Sequence, residues 1–241
     1  MLIREEINRE RIDNLIREAK RHGPFHALTH EERDETRRKF LANANLDEGL
    51  WVFGYGSLLW NPAFHYTGWQ PARLYGFRRR FCLEASIGRG SPEKPGLMLA
   101  LDHGGSCNGR AFHIAPEKIE SETDILWMRE MISGSYNAQH VHIRLPEKTV
   151  NGLTFVINRK HPRYIADIDM QETARLLASG EGHLGTCREY LNNTITHLDE
   201  MNVRDRYLHE LQQKLREIDN QEMPRLPLLT EGTKSRNTQS T

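Results

Sequence analysis

The run Trp51-Val52-Phe53-Gly54-Tyr55-Gly56-Ser57-Leu58-Leu59-Trp60 carries the strongest chemical signal in the chain. An apolar stretch of strand type meets two glycines one residue apart, then a serine, then apolar residues again. Glycine permits positive φ and close backbone approach, so successive N–H groups can converge there on a carboxylate or a developing oxyanion. Two other readings fail at one position. A dinucleotide fingerprint needs a third glycine at 59 with a helix behind it, and a serine nucleophile elbow needs glycine two residues after Ser57; Leu59 stands there, and Asn61-Pro62 follows. A tight turn with no ligand is the remaining alternative.

A carboxylate on the wrong face of a helix is the second signal. Pro116 suits a first turn, and the pattern predicts a helix from there to about residue 132. Glu130 then sits above Leu126 and Trp127, on the apolar stripe with Ile119 and Thr123. Desolvation raises such a carboxyl toward neutrality, which suits a group that must accept and return a proton near pH 7. The alternative is a structural ion pair with a buried arginine. Ser133-Gly134-Ser135 ends the helix and brings the Tyr136 phenol toward Glu130. In the strand after Gly76, alternation groups Arg79 with Phe77, Phe81 and Leu83. A guanidinium so placed calls for a carboxylate, whether Glu130, another acid or a substrate. His140 and His142 share a strand face, but a third ligand would have to come from elsewhere, so no metal is expected. The glycine- and proline-bounded loop 88–96 is expected either to cover a pocket or to serve as a simple connection.

These groups need a scaffold. Strands are expected at 51–56, 72–84, 97–101, 109–114, 140–145 and 152–157, an α+β arrangement resembling a small barrel or curled sheet interrupted by helices. Further helices are expected at about 168–179, 186–201 and 203–219, the second opened by the capping-box pair Thr186 and Glu189. Residues 1–49 read as a helical extension without a chemical constellation, with Ile12, Leu15, Ile16 and Ala19 at helical spacing; a solvated arm is the alternative. The main domain spans 50–220, and the polar stretch 221–241 is expected to be disordered.

Composition excludes several classes of function. The 33 basic and 33 acidic side chains cancel, so no net field favours nucleic acid or an anionic membrane. The three cysteines, Cys82, Cys107 and Cys187, are widely spaced and fit a reducing compartment as small buried hydrophobes. With no apolar leader and no run long enough to span a membrane, a cytoplasmic location is expected.

The segments FGYGSLLWNP, RRFC, GRG…KPG, LLWMREMISGSY and GHLGTCREYL together resemble the ChaC family of glutathione-specific γ-glutamylcyclotransferases, in the family's order and over roughly residues 50 to 200. That resemblance implies a small mixed β-barrel of the γ-glutamylcyclotransferase-like type with flanking helices. It implies that Gly54, Tyr55, Gly56, Ser57, Leu58 and Leu59 cradle a γ-glutamyl group, that Glu130 is the catalytic glutamate, and that Arg79 and Tyr136 line the pocket. Leu97 departs from the arginine expected at its position. The implied reaction is lyase chemistry without a cofactor: the γ-glutamyl α-amine of glutathione attacks its own γ-carbonyl, giving 5-oxoproline and Cys-Gly. The alternatives are other γ-glutamyl amino acids or amines as substrates, or a γ-glutamyl-binding protein without chemistry.

Overall fold

A long two-stranded ribbon dominates the sheet. Residues 3–222 are described by the computed structural model; the polar tail from 223 onward lies outside the described residues, while 221 and 222 finish the last helix. Strands β1 (Leu50–Gly54), β2 (Gly68–Ala85), β3 (Gly96–Ile114), β4 (Tyr136–Arg144) and β5 (Thr149–Ile157) close into a barrel in the order β1-β3-β2-β4-β5, with β3 also bonded to β5. Six helices flank it: α1 (Arg9–Arg21), α2 (His30–Ala42), α3 (Ile119–Glu130), α4 (Met170–Ser179), α5 (Cys187–Asp199) and α6 (Arg206–Glu222). The α+β barrel expected from the sequence is the fold observed.

Several boundaries differ from expectation, two of them for clear reasons. Segments 97–101 and 109–114 are one strand. The intervening Asp102-His103-Gly104-Gly105-Ser106 has turn composition, and both glycines adopt positive φ, yet Asp102 and His103 pair with Arg78 and Phe77 across the ribbon. Bulges after Tyr75 and Phe81 take up the irregularity. Strand β1 stops at Gly54 rather than 56, because Gly56 caps a single 3₁₀ turn, Ser57–Leu59.

The core has two main parts. Phe40, Trp127, Phe112 and Phe155 fill the space between the barrel and helices α2 and α3. Leu177, Leu191, Leu208, Leu211 and Leu215 pack the last three helices against Phe81, Leu97 and Leu99. Each such side chain contributes about 1.5–3 kcal/mol on burial. Leu97 is fully buried here, so an arginine could not occupy this packing without rearrangement. The three cysteines are free and buried, as read from their spacing.

A buried charge cluster staples the barrel wall. Asp102, with no exposed surface, accepts hydrogen bonds from Arg80 (2.9 Å), Arg159 (2.7 Å) and the His103 amide (2.8 Å). Burial pushes its carboxyl up, but these donors outweigh it and hold the pKa below the usual range. Its stabilisation is therefore complete above about pH 4 and fades as pH falls through the depressed pKa. Asp102→Asn is expected to cost about 3 kcal/mol in urea unfolding at pH 7, because two arginines lose their counter-charge.

Candidate active site

Helix α3 presents Ile119, Thr123, Leu126 and Trp127 to the core and ends on Glu130. It stops there, two residues short of the expected end, where Met131 leaves helical geometry. A carboxylate at this position meets the negative end of the helix dipole as well as an apolar wall. The Glu130 side chain keeps only 15% of its surface accessible, and its buried Oε1 makes no hydrogen bond. Arg129 Nε lies 3.0 Å from Oε1, an ion pair without hydrogen-bond alignment. Burial raises the Glu130 pKa, and the Arg129 charge opposes the rise without cancelling it.

Glu130 opens into a cavity of about 360 Å³ that also takes Tyr55, Gly56, Ser57, Leu58 and Tyr136 as lining. That volume suits a small-molecule ligand. The 55–58 turn is braced from outside by arginines. Arg79 Nε donates to the Tyr55 carbonyl (3.1 Å) and Arg110 to that of Leu59 (2.7 Å). Arg129 donates to the Asn61 carbonyl and to Ser57 Oγ, the latter at 2.8 Å. Because C=O and N–H point to opposite sides of a trans peptide, the Arg79 grip on Tyr55 turns the Gly56 N–H away from the brace.

Three expected contacts are corrected. Gly54 and Leu59 do not line the cavity: Gly54 lets β1 approach Leu58 and Phe112, and Leu59 is buried among the helices. Arg79 is buried with the apolar residues but lies off the cavity. Its guanidinium is held by Asp205 (2.6 Å), the Asn108 carbonyl and Tyr55, so it orients the turn from outside the cavity lining. Nor does the turn use positive φ. Gly56 is needed for space, since a Cβ would come within 2.7 Å of Tyr190 Oη. His140 stacks on Phe40 at 3.9 Å, and among the described residues no group of three or more His, Cys, Asp or Glu side chains is placed to share a metal ion.

Several lining residues carried no warning in the sequence. Tyr190 joins Tyr55 and Tyr136 around the carboxylate; burial raises all three phenols, and the Glu130 charge adds to each. A backbone hydrogen bond from Ser57 partly opposes the rise at Tyr190. Tyr55 and Tyr136 spend their hydroxyl protons on the carbonyls of Phe155 (2.9 Å) and Leu99 (3.0 Å). The 88–96 loop, by contrast, is a candidate from its glycine and proline bounds, and it covers one side through Gly88, Arg89, Gly90, Ser91 and Pro92. The other side is the N-terminal extension: Leu15, Ile16 and Ala19 of α1, then His22 and Phe25. It is held by Ile7 and Ile12 against Met128, and by Arg4, which donates to the buried Glu122 carboxylate. The extension thus packs on the main domain as part of the cavity wall and is not a solvated arm. Its apolar spacing was the only sequence sign.

A family model described as ChaC-like protein matches residues 50–218. The chain belongs to the ChaC-like family. Over 167 residues it is 41% identical to the glutathione-specific gamma-glutamylcyclotransferase of Escherichia coli K12, covering 68% of this chain and 72% of that protein. Glutathione-specific gamma-glutamylcyclotransferase 1 of Homo sapiens is 30% identical over 158 residues, or 64% and 71% of the two chains. Among solved structures, a yeast gamma-glutamyl cyclotransferase specific to glutathione superposes with a TM-score of 0.65 at 23% identity, covering 71% of this chain and 97% of that one. That last likeness bears on the fold alone. The ChaC-like match begins at residue 50, so helix α1 and Phe25 come from outside the matched region.

Proposed function

We propose that this protein is a γ-glutamylcyclotransferase that converts glutathione to 5-oxoproline and Cys-Gly, with Glu130 as the group that moves the proton. The observation that carries the reading is a desolvated carboxylate with a raised pKa in the same cavity as the 56–58 turn. The names of the relatives supply the substrate class.

The substrate amine arrives as an ammonium. The Glu130 carboxylate takes one of its protons, and the freed nitrogen attacks the γ-carbonyl carbon of the same residue. The carbonyl oxygen becomes an oxyanion, for which the amides of the turn are suitable donors, at roughly 3 kcal/mol each. As the C–N bond to cysteine breaks, the Glu130 proton passes to the departing amine; the carboxylate then takes the second proton from the ring nitrogen and hands it on in turn, so the lactam forms neutral and Cys-Gly leaves as its ammonium. Nucleophile and electrophile share one residue, so holding them in attack geometry supplies several kcal/mol of the barrier reduction. The raised pKa fits this shuttle: the carboxylate takes up the ammonium proton more readily than a solvated one would.

The division of labour we infer gives the chemistry to residues 50–220 and one cavity wall to α1 with the segment that follows it. Free, buried cysteines fit a reducing cytoplasm, and among the described residues no helix is long and apolar enough to cross a membrane. Incubation with reduced glutathione is expected to release 5-oxoproline and Cys-Gly in equal amounts, with much slower release from γ-glutamyl-alanine. Stabilisation by glutathione without either product would instead mark a binding protein.

A further inference from the structure

Three arginines line the cavity, and two are committed. Arg129 is paired with Glu130 and bonded to the turn. Arg89 donates to the Thr186 carbonyl at 2.8 Å and lies 3.5 Å from the Glu189 carboxylate. Arg163 differs: among the described residues no acidic side chain lies within ion-pair distance of it. Its Nη2 donates to Ser133 Oγ (2.6 Å) and its Nη1 reaches the Glu84 carbonyl at 3.5 Å, while its buried Nε has no partner. Phe25, from the N-terminal extension, lies with its ring 5.4 Å from the guanidinium carbon. A largely buried guanidinium with an unused donor, held by a ring and a serine at a cavity wall, is built to receive an anion.

We propose that Arg163, with Ser133 and Phe25 holding it, binds the glycine carboxylate of the peptide. This rests on the glutathione reading above and assigns the part of the site that selects for the leaving group. The other carboxylate of glutathione shares its carbon with the attacking amine and must therefore sit beside Glu130. Glu130 and Arg163 line the same cavity, and Tyr136 lies within electrostatic reach of both. A ligand held by its amine at Glu130 would extend its far carboxylate toward Arg163.

The test is 5-oxoproline release from glutathione and from its glycine carboxamide, by the wild-type protein and by Arg163→Met, which keeps the apolar stem on Phe25. Wild type is expected to lose roughly ten- to hundredfold in kcat/KM on going from acid to amide, mostly through KM. Arg163→Met should show the same loss with glutathione and treat acid and amide alike. If wild type turns over acid and amide equally fast, or if Arg163→Met still discriminates between them, the Arg163 subsite is overturned and the functional reading stands. Should wild type release no 5-oxoproline from either compound, the functional reading falls and the subsite with it. The wild-type arm needs no variant, so misfolding of Arg163→Met cannot mask the answer.

Discussion

Glu130→Gln is expected to release 5-oxoproline from glutathione at least about a thousandfold more slowly than the parent, and to melt at a higher temperature at pH 7. The first effect follows from chemistry. The amide keeps the shape of the side chain but can neither take the ammonium proton nor return one, and positioned acid–base groups typically contribute 10²–10⁴-fold. The second follows from burial. The Glu130 pKa is raised in the folded protein, with desolvation as the larger cause and Arg129 opposing it. Below the pKa of the unfolded chain the group is neutral in both states and the penalty vanishes. As pH rises toward and through the folded value, the unfolded chain gives up its proton more readily, and the native state loses stability. The melting advantage of Glu130→Gln should therefore be near zero at about pH 4 and grow toward neutrality. A variant that is inactive but no more stable at pH 7 would mean that the Arg129 pairing already compensates the buried charge. Near-normal turnover would remove Glu130 from the mechanism altogether.

Arg129→Met is expected to lower kcat/KM on the order of a hundredfold and to move the acidic limb of its pH profile upward. Arg129 joins the turn to the end of α3: it bonds Asn61 and Ser57 and touches Glu130. Without it, the turn and the carboxylate lose their mutual registry, and displacement of a reacting group by about 1 Å can cost a hundredfold. Its positive charge also holds Glu130 down against desolvation, so removing that charge lets the carboxyl rise further and demands a higher pH for ionisation. Arg129→Lys separates the two roles. It should keep the pH limb in place while remaining slow, because an ammonium preserves the charge but not the forked hydrogen bonding. A profile unmoved in Arg129→Met would show that some other group sets the acidic limb.

The candidate site was legible in sequence where its signal was local. Helical period puts Glu130 on the apolar face, since residues 126 and 127 fix that face, but by itself it leaves a structural ion pair equally open. The 54–59 run is legible because two glycines interrupt an apolar strand, although the reason for Gly56 is the nearness of Tyr190 and not a left-handed backbone. Local pattern misleads where the partner is distant. Alternation correctly groups Arg79 with apolar neighbours, but nothing near it in the chain announces that Asp205 and two carbonyls will absorb its donors. Arg163, Tyr190 and Phe25 are silent for the same reason: each gains its meaning from a neighbour on another element. In the fold, the glycine pair at 104–105 hides a continuous strand, because cross-strand pairing overrides what their composition favours.

The N-terminal helices have a consequence for how selectivity in such a protein can change. One wall of the cavity is built from a stretch of chain that contributes nothing to the barrel, while Glu130, the carboxylate proposed to move the proton, and Arg129 sit on α3. Mutation in the outer stretch can remodel the shape offered to a ligand's far end without altering α3. Ligand preference and reaction chemistry are thereby free to evolve at different speeds.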